Sequence, residues 1–83
     1  MMETATVILM NESTGGIAFK IPDGSYVLAE RMDNKQLRLG QQLLGQLDSM
    51  GVERLVDHQS KDVYGFFIQA WGLTLDAARR ELL

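Results

Sequence analysis

Asp57, His58 and Ser60 are the residue types of a hydrolytic relay, gathered in one short polar stretch. A relay needs its three groups aligned in space, each in hydrogen-bond reach of the next. Neighbours one or two apart on a loop cannot readily hold that geometry, and no oxyanion-hole motif accompanies them. Asp57 and Asp62 are too few to ligate calcium. Gly15-Gly16 lacks the lysine and the helix start of a phosphate-binding loop. His58 is the one histidine and cysteine is absent, which removes structural zinc, disulfides and thiol nucleophiles. The expectation is a protein that is not an enzyme and carries no cofactor and no metal.

Binding is the chemistry left to consider. Phe19, Tyr26, Phe66, Phe67 and Trp71 are the rings available to stack on bases or to form an apolar contact face. Alternation along 63–71 sets Tyr64, Phe66, Ile68 and Ala70 on one face, and alternation along 17–21 groups Phe19 with Ile17 and Ile21. Both patterns read as core. Phe67 and Trp71 fall on the opposite face from Phe66. Cover by a terminal helix is the plainer reading for them; left exposed, they make a protein-interaction or dimer patch. Arg31, Lys35 and Arg38 are the local basic excess, diluted by Asp33, and read first as a solvated turn.

The elements that must position these residues are short. Ala5 to Met10 is β-branched and apolar, a strand, followed by a loop over 11–16. Ile17 to Ile21 alternates, Pro22-Asp23-Gly24-Ser25 supplies a turn, and Tyr26 to Met32 returns, which predicts a hairpin. Proline presets φ, aspartate bonds the local backbone, and glycine takes the left-handed position. Residues 33–51 support two readings. Leu43, Leu47 and Met50 fit a helical spacing, but Gly40 and Gly45 inside it would each cost about 1 kcal/mol relative to alanine. Strands at Leu37–Leu39 and Leu43–Leu47 are the preferred reading, with a turn over Asp48-Ser49-Met50-Gly51 and a short continuation at Val52–Val56. Residues 57–62 form a polar loop. Val63 to Trp71 is a strand, with Gly65 marking a bulge or bend. Thr74 caps a short terminal helix over about 74–82, with Leu75, Ala78 and Leu82 on one face and Arg79 and Arg80 near its C-terminal end.

The runs Val7-Ile8-Leu9-Met10-Asn11, Gly15-Gly16-Ile17-Ala18-Phe19 and Asp23-Gly24-Ser25-Tyr26 resemble the opening strands of cold-shock-type OB-fold domains. Leu39-Gly40-Gln41 and Gly45-Gln46-Leu47 look like the turn that leads into the fourth strand there. The whole pattern is also similar to short uncharacterised bacterial proteins that end in an aromatic strand and a brief helix. The resemblance implies a mainly β, small five-stranded OB-like barrel with a short C-terminal helix. It also implies weak single-stranded nucleic-acid binding, through Phe19, Lys20 and Tyr26 with the nearby Arg31, Lys35 and Arg38. Stacking platforms set several rings beside positive charge, whereas residues 17–21 hold one ring and one lysine.

With 83 residues and a net charge of −3, the chain reads as one domain, 1–83, whose acidic balance counts against a broad polyanion-binding face. A chain of this size buries only about 60–65% of its unfolded surface, so a partner subunit would add stability that no staple supplies. The favoured function is therefore a protein-interaction or self-association module using Phe67 and Trp71, with a homodimer or a protein partner expected, and nucleic-acid binding is the alternative. The N-terminal stretch lacks a secretory pattern and the longest apolar run is far too short for a membrane span, so a cytoplasmic location with no membrane partner is expected.

Overall fold

The computed structural model describes residues 2–48 and 50–82. Its elements run β1 (Glu3–Asn11), β2 (Gly16–Lys20), β3 (Tyr26–Arg31), β4 (Gln42–Gly45), β5 (Gly51–Asp57), β6 (Val63–Leu73) and α1 (Leu75–Leu82). The strands close into an antiparallel barrel in the order β1-β2-β3-β6-β5-β4, with β4 against β1. Two three-stranded meanders are thus joined edge to edge, and closure leaves no open edge to template aggregation. The expected small barrel with a terminal helix is present, with six strands rather than five. The difference lies at 51–57, read as a continuation, which is a full strand between β4 and β6.

The hairpin forms as its residues dictate. Ala18 pairs with Leu28 and Lys20 with Tyr26. At the turn, Asp23 Oδ1 accepts from the Ser25 backbone at 2.8 Å and from its hydroxyl at 2.7 Å, and Gly24 adopts φ 89°. These bonds, the hydroxyl's first, hold the Asp23 carboxyl below its ordinary range.

Residues 33–51 contain neither the helix nor the strand at Leu37–Leu39. Residues 32–41 cross one end of the barrel as irregular chain, burying Leu37 as a plug and leaving Leu39 exposed at a turn. The turn expected over 48–51 includes Ser49, which lies outside the described residues. Gly45, a liability in a helix, is what allows β4 to approach β5. A Cβ there would overlap Leu55 Cδ2 and stand 3.1 Å from the Arg54 carbonyl oxygen.

The barrel is filled by Val7, Ile17, Phe19, Val27, Leu43, Leu47, Leu55, Phe66 and Ile68. Phe19 and Phe66 meet edge to face, centroids 5.1 Å apart and planes at 88°, the arrangement that aromatic quadrupoles favour.

Bulges then divide the strands between two cores. In β1, Val7 pairs with Phe19 and Leu9 with Ala18, leaving Ile8 as an extra residue. The slip reverses the faces beyond it, so Leu9 turns outward while Met10 packs on the barrel core. In β6 the bulge expected at Gly65 is absent there. Gly65 pairs regularly with Arg54, and the register shifts fall at Gln69 and at Trp71–Gly72. Ala70, expected on the Phe66 face, is therefore carried to the outside. Leu9, Ala18, Leu28, Ala70 and Leu73 form a second apolar cluster closed by Ala78 and Leu82 of α1.

The helix is capped as expected, Thr74 Oγ1 accepting from the Ala77 amide at 3.1 Å, and Asn11 Nδ2 donates to the Leu82 carbonyl at 2.7 Å. Gly45→Ala should lower the stability of the barrel by about 1–3 kcal/mol through overpacking. Urea unfolding followed by tryptophan fluorescence measures this, and a midpoint no lower than the parent's would refute the close approach.

Candidate functional site

Two surfaces bring functional residue types together. The first is the outer face of β3, β6 and β5. Ladder pairing aligns Glu30, Phe67 and Val52 in one row across the three strands. The next outward row is Met32, Gly65 and Arg54, joined by Arg54–Gly65 pairing and by the Met32 amide donating to the Gly65 carbonyl at 3.0 Å. Val63 and Val56 follow. Phe67 is 44% exposed and Val52 59%, with Met32 and Val63 also exposed. This apolar strip has Glu30 on one flank and Arg54 on the other.

The terminal helix does not cover it. α1 lies against β1, β2 and β3, drawn there by the second apolar cluster. Trp71 is as exposed as Phe67 but stands apart from it. It occupies the second β6 bulge, beyond Ile68–Gly51, the last pair with β5. Four residues of strand span roughly 13 Å.

The residues expected to touch nucleic acid are not assembled into a platform. Phe19 is fully buried against Phe66, so its ring has no face to offer a base. Tyr26 packs partly under the helix cluster, beside the exposed Lys20. Lys35 stays exposed: its ammonium donates to the Val63 carbonyl and lies 5.5 Å from the Tyr64 ring centroid. Arg31 is half-buried and reaches the Lys35 carbonyl. Arg38 is exposed, at the turn that enters β4.

The second surface is a polar cleft beside that turn, organised by Asp57 and Gln41. Asp57 ends β5 and is only 7% exposed. Its Oδ1 accepts from the Gln59 and Ser60 amides, each at 2.8 Å, and its Oδ2 from Gln41 Nε2 at 2.6 Å. Gln41 Nε2 also lies 3.3 Å from the Tyr64 hydroxyl, while Gln41 Oε1 accepts from the Arg38 amide at 2.9 Å. Gly40 donates to the Val7 carbonyl and Val7 to the Gln41 carbonyl, which ties the crossover to β1 at its bulge. The Asp57 carboxylate is therefore a structural acceptor that turns the loop and clamps the crossover onto β5. It holds Gln59, Ser60 and Gln41, so it is not spent on orienting His58 as a relay would require. Sequence reading had Asp57 in view but had no means of finding Gln41, which comes from 16 residues away.

The fold is that of a small closed antiparallel β-barrel with one short C-terminal helix. No family model matches the chain, and no curated protein or solved structure matches it.

The amide bond from Ser60, then that from Gln41, then that from Gln59 lower the Asp57 carboxyl from 3.8 to about 2. A carboxyl depressed in the folded state stabilises it above the unfolded value and loses that contribution as pH falls through the folded one. Asp57→Asn should therefore melt below the parent at neutral pH, and the gap should narrow as pH falls from about 4 to about 2. A gap unchanged by pH in circular-dichroism melts would contradict this assignment.

Proposed function

We propose that this OB-like barrel is a non-catalytic interaction module that self-associates through the outer face of β3, β6 and β5. The observation that carries the reading is the directly paired, outward-facing Phe67 and Val52, flanked by Met32 and left bare by the helix. An exposed aromatic paired with a β-branched residue on a sheet face is the kind of anchor that interfaces bury. Gly65, beside Phe67 on the same face, adds no side chain to the patch, and the Asp33 carboxylate accepts from its amide at 2.9 Å. A two-fold interface uses one patch twice, and this patch carries Glu30 and Arg54 on opposite flanks for cross-pairing. A small barrel without disulfide or metal also gains stability from the area such an interface buries.

The OB-like part of the reading is supported by closure of a small antiparallel barrel with β1 shared between the two meanders. The nucleic-acid alternative loses the Phe19 ring to the core and has a net charge of −3 against it, and so is not preferred.

Sedimentation equilibrium over a wide concentration range tests the reading. The parent should shift from monomer to dimer, and Phe67→Ser should remain monomeric with an unchanged circular-dichroism spectrum. A parent that stays monomeric at the highest concentration would refute self-association.

A further inference from the structure

We propose that the polar cleft between the β3–β4 crossover and the β5–β6 turn binds a small, uncharged, hydroxyl-rich ligand of monosaccharide size. Two adjoining hollows of about 330 and 400 Å³ share Arg38, Gln41, Asp57 and Gln59. Each reaches the lower end of the range of small-molecule sites. Their walls expose more polar than apolar area, led by Arg38, Gln41, Asp57 and Gln59, so a guest is offered hydrogen bonds ahead of apolar contact.

Charge narrows the class further. Arg38 and Asp57 line both hollows, joined by His58 in one and by Asp62 in the other. An anion drawn to Arg38 meets two carboxylates. A cation meets the guanidinium, and Asp57 already accepts three hydrogen bonds, leaving little of its acceptor capacity. A neutral guest meets neither penalty. The Gln36 and Gln59 amides, the Arg38 guanidinium and the Asp62 carboxylate set donors and acceptors in planar pairs, which adjacent hydroxyls can satisfy two at a time.

The floor is also held in place before any ligand arrives. Gln41 is bonded at both ends of its amide, and the 57–62 turn closes on itself through Asp57 N to the Asp62 carbonyl at 2.8 Å and is tied to β4 by His58 N to the Gln42 carbonyl at 3.0 Å. Binding then has little main chain to order. Arg38, His58 and Gln59 stand exposed at the rim, available to close on the guest.

Nitrogen-15 chemical-shift titration of the full chain with D-glucose, D-mannose and glycerol tests this, with inorganic phosphate and acetate as charged comparisons. Saturable shifts confined to residues 36–42 and 57–64 are expected with at least one sugar. The double variant Arg38→Ala, Gln59→Ala alters rim side chains only and should weaken that response about tenfold or more while the remaining spectrum is preserved. Three results would each overturn the proposal. One is no localised response to any polyol. The second is a response the double variant leaves intact. The third is a response to phosphate or acetate in place of the sugars. The outer face of β3, β6 and β5 does not line the cleft, so the oligomeric state bears on the other proposal alone.

Discussion

The barrel depends on the close approach of β4 to its neighbours. β1 is long enough to serve two partners, pairing through Glu3–Thr6 with β4 and from Thr6 onward with β2. β4 has only four residues with which to close the ring and must also reach β5. Gly45 makes that possible, because any side chain there would displace Leu55 from the core or press on the Arg54 carbonyl. With the seam closed, Phe19 and Phe66 share a sealed interior and every strand is paired on both sides. Without it, the two meanders would each expose an apolar face that neither can cover alone.

A second constraint comes from the bulges. A barrel this small would place alternate residues strictly inside and outside, sending Leu9 and Ala70 inward. One extra residue in β1 and the shift at Gln69 turn both toward Ala18 and Leu28, where Leu73 joins them, and a helix then has something to pack against. The helix is committed to that side of the barrel by its own Ala78 and Leu82 and by the Asn11 side chain bonded to its last turn. The opposite consequence is that Phe67 keeps its outward position uncovered. These local irregularities thus decide both where the helix sits and that Phe67 stays exposed.

Asp57 has a comparable role at the barrel end. A carboxylate accepting from two amides of its own turn is a local device, and the same group reaching Gln41 joins that turn to the crossover. The crossover is in turn pinned to β1 by the Val7 and Gly40 main-chain bonds, and the polar cleft has walls drawn from two distant parts of the chain, 36–42 and 57–64. The result is a barrel with an apolar patch on its side and a polar, pre-arranged cleft at its end.

By itself the sequence determined those features whose physics is local. The alternation at 17–21, the Pro-Asp-Gly-Ser turn and the Thr74 cap each act over a few residues, and each forms as read. The absence of cysteine and the single histidine likewise bounded the chemistry without any structure. Tertiary structure decided the rest. Leu37 and Leu39 look like strand alternation, but one plugs the barrel and the other lies at a turn, because the chain must cross the barrel end there. Gly45 gains its purpose only when Leu55 lies beside it, and Asp57 becomes a clamp only when Gln41 arrives. Trp71 and Phe67 share a face by counting twos, yet a bulge between them separates their surroundings. A bulge costs the chain little locally and is selected by what its shifted side chains can bury, which is a property of the assembled barrel and not of any window of residues.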